Sequence, residues 1–178
     1  VHGESSKPEY LNWLEKAGKG DVEKEYLSGL AFYRGIGGAR RDYQKAFEWF
    51  LKSAKHNNSA AGVSLGDMYA LGHFVRKDER KAFEWYLKAA KSGSGEGMEK
   101  LADMYINGKS AKENYPEAAK WYEKAAEESR TPGPFIKLAR LYYLGGEHFE
   151  KNEGKALKWF LKAFEMGDWD AAHYISGI

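Results

Sequence analysis

The sequence predicts an all-α fold, a right-handed α-solenoid of helix-turn-helix repeats of about 36 residues. Three observations carry that prediction. One segment recurs four times, and its apolar positions fall at helical spacing. The 178 residues include four prolines and abundant Ala, Lys, Glu and Leu, which favours helices over a turn-rich β architecture.

The recurring segment is clearest in Asp42 to Ala54 and Asp78 to Ala90, which match almost letter for letter, and it returns as Asn114 to Ala126 and Asn152 to Phe164. Its tryptophans stand at Trp49, Trp85, Trp121 and Trp159, at intervals of 36, 36 and 38. Within one copy Ala82, Trp85, Tyr86, Ala89 and Ala90 form the apolar stripe of an amphipathic helix, termed B. That stripe is expected to be buried, indoles included. Asp42, Asp78, Asn114 and Asn152 precede helix B, where a short acceptor side chain satisfies the free N–H groups of a first turn. Gly93 and Gly167 stand where a left-handed C-terminal residue is expected.

Ahead of each B helix runs a second pattern, termed A. It reads Ala61, Leu65, Gly66, Met68, Tyr69 and Gly72, then Gly97, Leu101, Ala102, Met104, Tyr105 and Gly108, then Leu138, Ala139, Leu141, Tyr142 and Gly145. Gly or Ala beside the Leu lets a partner helix approach closely, and the glycine after the Tyr ends the helix. Neither helix buries its stripe alone, so stacking of successive pairs is expected to form one continuous core. The chain is therefore read as a single repeat domain, 1–178, with complete copies at 22–57, 58–93, 94–129 and 130–167. Residues 8–21, around Trp13, Leu14 and Ala17, read as a lone B helix, and 168–178 as the opening of a further A helix. Starting and stopping mid-repeat points to a longer array or to capping helices.

Ala61, Leu65-Gly66, Tyr69 and Gly72, followed by Asp78, Lys81-Ala82, Trp85 and Ala89-Ala90, resemble the Sel-one-like repeat, a relative of the tetratricopeptide repeat. Four copies cover nearly the whole chain. The first departs from the pattern with Glu25 and Gly29 where Ala and Leu are expected, and the fourth with Pro132-Gly133-Pro134 and a longer loop, Gly145 to Asn152. The resemblance implies a non-catalytic adaptor or scaffold that binds a protein or peptide. The alternative it leaves open is binding or hydrolysis of peptidoglycan or β-lactams, linked to cysteine-rich relatives whose disulfides this chain lacks.

The residues offer little for catalysis. His2, His56, His73, His148 and His173 lack the close helical spacing of metal ligands, and no serine sits in a Gly-x-Ser-x-Gly elbow, so neither a metal nor another cofactor is expected. Ser53, Ser64, Ser92, Ser110 and Ser129 lie outside any such elbow, Ser94 reads as a connector position, and Gly35-Ile36-Gly37-Gly38 reads as a turn between helices rather than a phosphate cradle. A net charge of +2 with interspersed signs argues against nucleic acid as partner. No apolar run reaches the roughly 20 residues of a membrane span, and Val1 to Ser6 has no signal-peptide core. A monomer without membrane insertion is expected, with bacterial periplasm or secretion and cytoplasm equally open.

The partner surface is expected on A helices, by analogy the concave side of the array. Triplets at i, i+4 and i+7 share one helix side. They are Leu27, Ala31 and Arg34; Val63, Asp67 and Ala70; Glu99, Asp103 and Ile106; Ile136, Arg140 and Tyr143. Of these, Leu27, Arg34, Val63, Asp67, Glu99, Asp103, Ile106, Ile136, Arg140 and Tyr143 are the predicted binding residues. Asp67, Glu99 and Asp103 would give the groove an acidic middle suited to a basic residue of the guest, with Arg140 and Tyr143 as anchors; the alternative is ordinary solvated side chains.

Overall fold

The computed structural model describes residues 7–108 and 113–178; His2 and Ser110 lie outside the described residues. Among these residues the elements are α1 (Glu9–Gly18), α2 (Val22–Arg34), α3 (Tyr43–Lys55), α4 (Ser59–Leu71), α5 (Glu79–Lys91), α6 (Gly95–Ile106), α7 (Tyr115–Glu128), α8 (Gly133–Leu144), α9 (Glu153–Glu165) and α10 (Ala171–Ile175). No strand forms among them, and Gly146 and Phe149 pair only as an isolated bridge. Helices α2, α4, α6 and α8 are the A helices, and α1, α3, α5, α7 and α9 are the B helices.

The caps form as the sequence predicts. Asp42, Asp78, Asn114 and Asn152 accept from the backbone N–H groups of Lys45, Lys81, Glu117 and Lys155 at 3.0, 3.0, 3.0 and 2.8 Å. Ser94 is more than a connector: it caps α6 by accepting from Gly97 N at 3.1 Å, as Asp21 and Asn58 cap α2 and α4. A helices run into left-handed glycines, Gly35, Gly72, Gly108 and Gly145, with φ of 71°, 74°, 59° and 68°. The chain then returns, and the N–H of each B-helix cap donates to the carbonyl of Phe32, Tyr69, Tyr105 or Tyr142 at 2.8, 3.0, 2.9 and 2.8 Å.

That repeated bond fixes the register and corrects the first copy. Six residues lie between Gly35 and Asp42, against five between Gly72 and Asp78. The extra residue lies in the glycine loop, so a register carried back from the tryptophans slips by one. Gly29 falls on Gly66 rather than on Leu65, and Ser28 takes the leucine position. Both glycines do the same work: a Cβ on Gly29 would lie 2.5 Å from the Phe50 ring, and one on Gly66 would lie 2.4 Å from the Tyr86 ring.

The described residues form two compact units, one up to Lys88 and one from Ala89. In the first, Phe50 is fully buried among Ala46, Ala61, Leu65 and Met68, with Tyr26 and Tyr33 against its ring at 5.8 and 6.0 Å. In the second, Phe160, Leu138 and Ala163 are fully buried, and Phe160 stacks on Tyr174 at 4.6 Å. The four indoles are half-buried rather than core. Alanines take the innermost stripe positions, and a lysine ammonium covers each indole: Lys52 over Trp49 at 5.1 Å, Lys88 over Trp85 at 5.3 Å, Lys124 over Trp121 at 4.7 Å and Lys162 over Trp159 at 4.7 Å.

Two sequence oddities are structural. Glu25 is completely buried, with Lys52 Nζ at 3.0 Å and His56 Nδ1 at 2.8 Å, so the departure from the repeat pattern is compensated by an ammonium from α3 and an imidazole nitrogen at its C-terminus. Ser53, on the same helix, is also buried and donates to Val22 O at 3.0 Å.

Candidate functional site

Counting back from the left-handed glycines gives each A helix the same three positions. In the last three copies they are Val63, Asp67 and Ala70; Glu99, Asp103 and Ile106; Ile136, Arg140 and Tyr143. In the first copy they are Tyr26, Leu30 and Tyr33, not Leu27, Ala31 and Arg34. Ala31 aligns with Met68, Met104 and Leu141, all buried, and is itself fully buried.

In the first unit this face is largely closed. Val63 is 3% exposed and belongs to the core. The Tyr86 hydroxyl donates to Asp67 Oδ1 at 2.6 Å, so that carboxylate helps join α5 to α4. Tyr33 shares a hydrogen bond with His73 Nδ1 at 3.0 Å, and the His73 ring stacks on Tyr43 with centroids 4.4 Å apart and planes 9° from parallel. Burial first, then the Asp67 charge, raises the Tyr33 phenol above its ordinary range. Leu27 is half-buried and Arg34 exposed, each one position away from the shared register.

In the second unit Asp103, Ile106 and Arg140 come together in a cleft of about 410 Å³, walled also by Tyr115, Lys137 and Leu144. Asp103 accepts from the Tyr122 hydroxyl on one oxygen and from Lys137 Nζ at 2.8 Å on the other. Lys137 also reaches Glu99 at 3.4 Å, so one ammonium is shared between the two carboxylates. Burial, then the Asp103 charge and hydrogen bond, pushes the Tyr122 phenol far above its ordinary range. In the second unit the two carboxylates of that acidic middle, Glu99 and Asp103, thus share one cation of the chain itself. Arg140 is exposed and forms no ion pair among the described residues, and Leu144 is 68% exposed on the rim. Ile136 and Tyr143 lie outside this cleft and pack on the core, Tyr143 edge-on to Phe160 at 6.5 Å.

Sequence reasoning missed Tyr115, Tyr122, Lys137 and Leu144. One signal was present: the tyrosine facing Gly66 or Ala102 occurs in the two copies that carry Asp67 and Asp103, whereas the copies with Leu30 and Arg140 have Phe50 and Phe160. A larger depression of about 750 Å³ runs along Val75 to Lys81, but it is formed by one exposed loop and the first turn of α5 beside Tyr69, with no convergence of elements.

The fold has close relatives among solved structures. A Sel1 repeat protein from Oxalobacter formigenes superposes with a TM-score of 0.80 at 26% identity, covering 92% of this chain and 71% of that one. A protective antigen of uropathogenic Escherichia coli with an SLR fold superposes with a TM-score of 0.82 at 27% identity, covering 94% of this chain and 36% of that one. Among curated proteins, an ERAD-associated E3 ubiquitin-protein ligase component, HRD3A of Arabidopsis thaliana, is 40% identical over 57 residues, which are 32% of this chain and 8% of that protein's length. The solenoid architecture of helix-turn-helix repeats is shared with the solved relatives. The Sel1 repeat itself matches residues 25–58, 61–94, 95–129 and 136–168, and with most of its length so matched this chain belongs to the Sel1 repeat family.

Proposed function

We propose that the chain is a non-catalytic protein-interaction module that receives a peptide or protein partner on its A-helix face, in the second unit at the cleft between α6 and α8. Sel1 repeat proteins generally act as scaffolds for protein interaction, and the plant relative is by its name a component of a ubiquitin-ligase assembly. The observation that carries the placement is Arg140. It stands at the position where the two preceding repeats use an aspartate to hold a tyrosine, yet it is exposed and borders an exposed leucine. A cation beside apolar surface is the composition expected of an interface anchor.

The test compares capture of partners from an extract of the source organism by the wild-type chain, Arg140→Glu, and Glu165→Lys on the B helix α9. Loss with Arg140→Glu alone, at unchanged helical circular dichroism, is the expected outcome. Equal capture by all three proteins rejects the A-helix face.

A further inference from the structure

The two units carry the same kind of repeat junction, closed in one by three rings and in the other by Tyr115 packed against the backbone of Gly146, with an open cleft beside it. In the first unit the residue two before the left-handed glycine is Tyr33, the residue after the next such glycine is His73, and the first residue of the B helix is Tyr43. These three rings close the junction through the Tyr33–His73 hydrogen bond and the His73–Tyr43 stack. In the second unit the corresponding residues are Ile106, Gly146 and Tyr115. Tyr115 keeps the aromatic wall, Ile106 is shorter than tyrosine, and Gly146 carries no side chain. A Cβ at Gly146 would lie 2.5 Å from the Tyr115 ring, so the chain has no room there to supply a ring of its own. The open cleft of about 410 Å³ lies beside these residues.

We propose that this cleft takes an aromatic side chain of the partner whose neighbouring residue is acidic, so that the ring lies between Ile106, Tyr115 and Leu144 while the carboxylate meets Arg140. Ile106, Tyr115 and the exposed Leu144 give the cleft an apolar and aromatic wall, which suits a flat ring. The charge follows from what is already satisfied. Asp103 is bonded on both oxygens, and Lys137 is divided between Asp103 and Glu99, which leaves the Arg140 guanidinium as the group able to select charge. A basic guest would meet a carboxylate, Asp103, already bonded on both oxygens and a guanidinium that repels it. This inference rests on the protein-binding reading above and names the chemistry of the guest.

The experiment uses the whole chain and three capped dipeptides, acetyl-Glu-Phe-amide, acetyl-Lys-Phe-amide and acetyl-Glu-Ala-amide, followed by amide chemical shifts in NMR. Acetyl-Glu-Phe-amide is expected to give saturable shifts at Ile106, Tyr115 and Leu144 with a Kd on the order of 1 mM, and each of the other two to bind about tenfold more weakly. Ile106→Tyr, which installs the first unit's ring, and Leu144→Ser, which removes an exposed wall, should each abolish those shifts; the second carries little risk to folding. Absence of saturable shifts in the wild type, equal response to the three dipeptides, or binding unchanged in Leu144→Ser overturns the proposal. If the dipeptides fail while a captured partner still depends on Arg140, the acidic-aromatic guest is wrong and the interaction face stands; if Arg140 is also dispensable for capture, both fall.

Discussion

The Tyr86 hydroxyl donates to the Asp67 carboxylate across the α5–α4 contact at 2.6 Å, and Tyr122 repeats the bond to Asp103 one copy later. The other two copies replace both members together, with Leu30 opposite Phe50 and Arg140 opposite Phe160. A half-buried carboxylate is thus kept only where a hydroxyl reaches it, consistent with the cost of burying a charged acceptor without a donor. It follows that Asp67 and Asp103 are in part packing residues, and that Arg140 is the member of this position released from that duty.

If the two residues are exchanged as a unit, stability should follow the pair. Tyr86→Phe and Asp67→Leu are each expected to cost about 1–2 kcal/mol, and the double variant, which reproduces Leu30 with Phe50, less than the two together by about 1 kcal/mol. Urea denaturation of the four proteins checks this, and strict additivity would argue against the pairing.

Gly66 is expected to be intolerant of a methyl group. Its Cβ would lie 2.4 Å from a Tyr86 ring that is 4% exposed and hydrogen-bonded, so Gly66→Ala should destabilise by about 1–3 kcal/mol despite the better helix propensity of alanine. The control is Ala102→Gly, where the third copy already holds a methyl group opposite Tyr122; its loss should cost about 1 kcal/mol through propensity alone. Thermal melts rank the two.

Buried and exposed ion pairs should separate cleanly. Lys52→Met takes away the ammonium facing the completely buried Glu25 and is expected to cost about 1–3 kcal/mol. Lys19→Met removes a 2.9 Å pair with Glu15 between two exposed side chains and should leave the melting temperature unchanged.

Alkaline titration should find tyrosines that ionise late. Burial, then the hydrogen bond and charge of Glu123, hold the Tyr142 phenol up at about 12, with the bond at 3.0 Å. A raised folded value means that the neutral form is favoured in the native state. The resulting stabilisation is complete below the ordinary phenol value of about 10 and is lost as pH rises through 12. Absorbance at 295 nm should show a delayed fraction that shrinks in Tyr142→Phe, with the fold weakening over the same window.

Much of the architecture was readable because helix periodicity and caps are local. Asp42, Asp78, Asn114 and Asn152 need only their own first turn to declare a helix start, and the left-handed glycines need only their own backbone. The first copy was misread at Gly29 because one extra loop residue moves an A helix relative to its B helix, and the fourfold tryptophan spacing is blind to that shift. The indoles were placed too deep because a stripe position at its edge is covered by a lysine ammonium over the ring, which a binary pattern counts as polar. At the site, Asp103, Ile106 and Arg140 were legible from the register of single helices. Lys137 was not, because its ion pair joins residues 34 apart on different helices.

Placement of the partner on the A-helix face is tested most directly by site-specific photocrosslinking. With p-benzoylphenylalanine at Leu144 on the cleft rim, or at Glu165 on α9, irradiation in the native extract should yield a covalent adduct from position 144, which excess acetyl-Glu-Phe-amide suppresses, and none from 165. An adduct from 165 with nothing at 144 would contradict the account.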